Sequence, residues 1–121
     1  MWRLHPNTLD AGNGEDITRV DDLVMLDELN QAEIIFNLRE RYSNNLIYTW
    51  VGASKSVLVS VNPFKRLPIY TPQIMDLYAR PRPQMPMGPH VFAVANTALR
   101  SMQLNELNQA ILISGESGAG K

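Results

Sequence analysis

The final stretch of the chain constrains it more than any other. An apolar run, Gln109-Ala110-Ile111-Leu112-Ile113-Ser114, leads directly into Gly115-Glu116-Ser117-Gly118-Ala119-Gly120-Lys121. The order predicts a buried strand that ends in a glycine-rich loop closed by a lysine. Its spacing is G-x-x-x-x-G-K, the phosphate-binding loop pattern without the final Ser or Thr. Glycines let the backbone turn tightly and bring several N–H groups to one point, and the lysine adds positive charge for outer phosphates. The magnesium-binding hydroxyl and the helix that would follow are not in the sequence. The expectation is therefore a piece that stops within its own site.

The rest of the chain excludes several alternatives. It has 121 residues, enough for one small domain, and 45% hydrophobic with 19% charged residues suits a packed rather than a disordered chain. A net charge of −1 gives no basic footprint for nucleic acid. The absence of cysteine removes disulfides, a thiol nucleophile and Cys-based zinc sites. No secretory signal or membrane span is predicted. His5 and His90 have no companions at metal-ligand spacing, and neither is read as catalytic.

Residues 1–20 read as a flexible leader. Asp21 and Asp22 before Leu23 predict a short helical turn. Asn30, with Glu33 three residues on, predicts a capped helix over about 31–41 whose buried face is Ile34, Ile35, Leu38 and Tyr42. Leu46–Val51 and Ser56–Val61 read as two antiparallel strands joined by a turn at 52–55, with Trp50 as core or edge packing rather than a ligand platform. Asn62-Pro63-Phe64-Lys65-Arg66-Leu67-Pro68-Ile69-Tyr70 is a stiffened loop. Its asparagine amide can donate and accept, as a purine edge requires, and Tyr70 offers a ring and a hydroxyl. Thr71 and Pro72 predict the cap and first residue of a helix over 72–79 that buries Ile74 and Leu77. A proline-rich connection over 80–89 leads to a helix from His90 to about Leu104. Its predicted face is Val91, Val94, Ala95, Ala98, Leu99 and Met102.

Several segments, taken in order, resemble the myosin motor head. They are Asp22-Leu23 through Leu29-Asn30-Gln31-Ala32, Asn37-Leu38-Arg39-Glu40-Arg41-Tyr42, Ile47-Tyr48-Thr49-Trp50-Val51-Gly52, the Val59–Tyr70 loop with its Asn-Pro, Pro89-His90-Val91-Phe92-Ala93-Val94-Ala95, and the terminal Gly-Glu-Ser-Gly-Ala-Gly-Lys. The resemblance covers about Asp22 to Lys121. Asn96 departs from it, where an acidic residue is usual, and so does Ala110, where a small polar residue or cysteine is common.

What the resemblance implies is an incomplete α/β, P-loop NTPase-type motor core, with mixed-sheet strands and flanking helices, over residues 21–121. It further implies that Asn62, Pro63 and Tyr70 line an adenine pocket. Gly115, Glu116, Ser117, Gly118, Ala119, Gly120 and Lys121 would wrap the phosphates of ATP, with Mg2+ as the parent protein's metal and its ligand beyond Lys121. The implied partners of the parent are actin filaments, through segments beyond this chain, and light chains, and the implied setting is the cytoplasmic cytoskeleton. The chain alone is expected not to hydrolyse ATP, and the Ile111 strand is expected to expose its edges. Two alternatives stay open from sequence: another phosphate-loop enzyme, or a non-catalytic fragment with no function of its own.

Overall fold

Asp22 ties two separate parts of the chain together. In the computed structural model, which describes residues 20–84 and 87–121, Asp22 caps a 3₁₀ turn, Leu23–Met25. Its carboxylate accepts from the Val24 amide at 3.1 Å and from the Gly52 amide at 2.8 Å. One side chain thus holds both the entry turn and the far end of the first strand. The expected acidic start is borne out. The proposed leader, with Trp2 and His5, lies outside the described residues apart from Val20.

Two strands form, β1 (Tyr48–Trp50) and β2 (Leu58–Ser60), antiparallel with Thr49 opposite Val59. They are shorter than the sequence predicts, although single bonds continue the pairing at each end, Val51 N–H to Val57 at 3.0 Å and Val61 N–H to Ile47 at 3.0 Å. Gly52 and Lys55, both at positive φ, make the turn between them. On its other side β1 meets Asp22 in a parallel bridge, with the Trp50 amide donating to Asp21 at 2.7 Å. Flanked on both edges, β1 is buried along its whole length. Of the two packing places expected for Trp50, core or edge, it takes the core, at 2% exposure. Its indole N–H has no partner among the described residues, so packing alone holds it.

Helix α1 (Gln31–Ser43) begins as predicted, with the Asn30 side chain accepting from the Glu33 amide at 2.9 Å. Its buried face is not the predicted one. Ile34 and Leu38 are half-buried, Ile35 and Tyr42 are exposed, and the buried residues are Asn37 and Arg41. Asn37 pairs with both main-chain groups of Val20, accepting at 2.9 Å and donating at 3.0 Å, as a strand residue would. Arg41 donates to the Tyr48 carbonyl at 2.8 Å and the Thr49 hydroxyl at 3.0 Å. Burial pulls the Arg41 guanidinium below its ordinary value, and the Asp21 carboxylate acts in the opposite direction. An apolar-periodicity argument cannot find such a face, because these residues are buried through backbone partners.

Helix α2 (Pro72–Ala79) has the predicted bounds, with the Thr71 hydroxyl accepting from the Ile74 amide at 3.3 Å. It buries Ile74 and Tyr78, while Leu77 is only half-buried. It packs against α3 (Val91–Asn105), whose cap is His90. No residue of α3 is fully buried, and Met102, expected as core, is 43% exposed. Beyond Glu106, in the left-handed conformation, the expected strand over 109–114 is absent and Leu112 is 93% exposed. A strand is defined by its pairing, and no described segment runs beside this one. The mixed sheet therefore does not appear. The described residues hold two antiparallel strands and three α-helices.

Candidate functional site

The terminal loop closes on itself. The Lys121 ammonium reaches back to donate to the Gly115 carbonyl at 2.6 Å, and inside that span the Ala119 amide donates to Glu116 at 3.1 Å. The three glycines are required for different reasons. Gly118, at φ +84°, has open space around it and needs only the backbone freedom. Gly120, at φ +91°, is also crowded, since a Cβ there would lie 3.1 Å from Asn62 Cβ and Cγ. At Gly115 a Cβ would stand 3.0 Å from that of Ala119.

Ala119 is the one loop amide with a protein acceptor among the described residues. The N–H groups of Ser117, Gly118, Gly120 and Lys121 donate to none. A small concentration of free amide donors beside an ammonium group is the donor set that phosphate oxygens need, so the residues present fit such a group.

Of the predicted base-binding residues, the structure brings Asn62 to this loop. Its Nδ2 donates to the Gly118 carbonyl at 3.1 Å, and its Oδ1 accepts from the Phe64 amide at 2.9 Å. Phe64 takes φ 50° and is left 83% exposed. Pro63 is half-buried between them. An open groove of about 340 Å³ runs beside this segment, lined by Leu38, Tyr42, Val61, Asn62 and Phe64 among others.

Tyr70, the predicted base-binding ring, makes its contacts with side chains. Its hydroxyl meets that of Tyr48 at 2.5 Å, and its ring packs edge-on against His90 and Phe92 at 5.5 and 6.0 Å. Burial raises the Tyr48 phenol well above its ordinary value, with the Tyr70 contact adding to the effect, and burial pushes Tyr78 up to about 12.

His90 is the residue whose part the sequence reading missed. It stands among the rings of Tyr48, Tyr70, Tyr78 and Phe92. Its Nδ1 accepts from the Phe92 amide at 2.9 Å, which puts the proton on Nε2, and Nε2 then donates to the Ile69 carbonyl at 2.8 Å. One neutral imidazole therefore caps α3 and ties it to the residue before Tyr70. Burial holds its pKa below the ordinary histidine value against the opposing Ile69 bond. The available signal was its place directly before a helical run, where a side-chain acceptor is wanted. Among the described residues no cluster of His, Asp or Glu could hold a metal ion, and no helix is long and apolar enough to cross a membrane.

Comparison with known proteins gives the family of the chain as a whole. Residues 20–121 match the family described as Myosin head (motor domain). The high molecular weight form of myosin-1 from Acanthamoeba castellanii is 55% identical over 102 residues, covering 84% of this chain and 6% of its own length. Myosin-3 of Arabidopsis thaliana is 44% identical over 121 residues, all of this chain and 10% of that protein. Unconventional myosin-VIIb of Mus musculus is 43% identical over 119 residues, 98% of the chain and 5% of that relative. The chain thus spans a tenth or less of the length of these relatives.

Proposed function

Because the chain belongs to the myosin head (motor domain) family, we propose that it is the ATP-binding segment of an actin-based motor ATPase. Gly115–Lys121 hold the phosphates through main-chain N–H groups, with Lys121 on the outer pair. The segment from Asn62 through Pro63 to Tyr70 borders the base. The observation that carries this reading is the loop itself: a lysine bonded across it to Gly115 and free amides along it.

The chain's residues bind and orient the triphosphate in this reading. Mg2+, when bound with ATP in the parent protein, neutralises charge on the phosphate oxygens. The glycines at 118 and 120, at φ +84° and +91°, let the backbone turn so that neighbouring amides can face one anion. Hydrolysis by in-line attack of water, actin binding, light-chain binding and a cytoskeletal location belong to the parent protein. The 121-residue chain binds nucleotide without turning it over.

Titration with a fluorescent ATP analogue tests the proposal. Saturable binding competed by pyrophosphate is expected. Lys121→Ala should weaken it by roughly tenfold or more, as loss of a charge-assisted hydrogen bond does. Absence of binding, or binding indifferent to Lys121, would remove the phosphate site. Magnesium-dependent phosphate release by the chain would overturn the claim that it does not turn over ATP.

A further inference from the structure

The central peptide of the phosphate loop, between Gly118 and Ala119, is pinned at both ends. Its carbonyl accepts from Asn62 Nδ2 at 3.1 Å, and its N–H donates to the Glu116 carbonyl at 3.1 Å. These two groups point in opposite directions across a planar unit. Fixing both fixes the orientation of the peptide. Were it to turn over, the Gly118 oxygen would be free to face the bound phosphate oxygens, and like partial charges would meet where N–H donors are needed.

Asn62 is held in the orientation this requires. Its Oδ1 accepts from the Phe64 amide at 2.9 Å, two residues on. A flipped amide would set an NH2 against that N–H and an oxygen against the Gly118 oxygen, so only one orientation satisfies both ends. Contact on the far side adds to the constraint. Gly120 passes so close that a Cβ there would lie 3.1 Å from Asn62 Cβ and 3.3 Å from Nδ2. Asn62 and the loop are 56 residues apart in the chain, so this is a tertiary clasp and not a local turn.

We propose that Asn62 is a positioning residue for the phosphate loop, a clasp that keeps the Gly118 carbonyl turned out of the phosphate cup, and that its amide is not the reader of the base. The proposal rests on the reading of Gly115–Lys121 as a phosphate site. It deepens that reading by placing the effect of Asn62 on the phosphate end of the ligand.

Pyrophosphate, which has no base, separates the two roles. With the full 121-residue chain, affinities for pyrophosphate and for a fluorescent ATP analogue are measured by calorimetry and titration, for wild type and Asn62→Ala. A clasp predicts that both affinities fall by the same factor, roughly three- to tenfold, the size of one neutral hydrogen bond. A base reader predicts loss for the ATP analogue with pyrophosphate unchanged, and that result overturns the proposal. So does no change for either ligand. Should Asn62→Ala fail to fold, the wild-type side-chain amide resonances of Asn62 decide. They should shift on adding pyrophosphate and stay in place on adding adenosine, and the reverse pattern overturns the clasp. If wild type binds neither ligand, the phosphate-site reading itself falls, an outcome distinct from all of these.

Discussion

The segment around β1 and the terminal loop are built on opposite terms. Tyr48, Thr49 and Trp50 are all buried, and their neighbourhood is tied by many independent contacts, including Arg41 to Tyr48 and Thr49, Asp22 to Gly52, and Asp21 to Trp50. From residue 104 to Lys121 every residue is exposed, and the loop is held by Lys121 to Gly115, Ala119 to Glu116, and Asn62 to Gly118. The difference separates a stabilising region from the proposed phosphate site. The β1 region supplies apolar burial and satisfied polar groups, so it carries the folding free energy. The loop leaves the amides of Ser117, Gly118, Gly120 and Lys121 without protein acceptors, which suits the proposed ligand site and which a stabilising element avoids.

Mutation should separate the two regions cleanly. Trp50→Ala removes the most deeply buried large side chain and should cost about 3–5 kcal/mol of stability, read by thermal or denaturant unfolding. A cost below about 1 kcal/mol would mean that β1 is not the core. Lys121→Ala should do the reverse: unfolding unchanged within about 0.5 kcal/mol, with phosphate affinity down roughly tenfold or more. A large loss of stability there would break the comparison.

His90 sharpens it from the packed side. Its folded pKa lies below the ordinary value of 6.5, because burial disfavours the charged form. The unfolded chain therefore binds more protons across that interval. The contribution of His90 to stability is complete above about pH 6.5 and declines as pH falls through its depressed folded value. Unfolding midpoints followed from pH 7.5 to 5 should show this decline, and His90→Asn, which keeps a cap acceptor without the titration, should flatten it. An unchanged slope in the variant would place the titration elsewhere. The smallest effect belongs to Leu112→Ser. With that side chain 93% exposed, stability should move by less than about 0.5 kcal/mol while self-association, read by light scattering, decreases. A substantial loss of stability would mean that the apolar run is packed after all.

What could be read from the sequence alone was whatever a residue settles with its own neighbours. Asn30 and Thr71 cap helices through bonds reaching three residues forward, so the starts of α1 and α2 were legible, and α2 was bounded to the residue. The glycine and lysine pattern of the terminal loop was legible for the same reason, since its spacing is a local property of the backbone. Tertiary structure alone decided the rest. It chose Asn37 and Arg41 over Ile35 and Tyr42 as the buried side of α1, because backbone groups of Val20 and Tyr48 came within reach. It left 109–114 unpaired, because a strand needs a neighbour that no local signal supplies. It also brought Asn62 onto Gly118 and packed Tyr70 against His90, two long-range contacts that no local signal announces. Local order follows from torsions and short-range bonds, whereas the choice of partner across a fold depends on which distant segment arrives there.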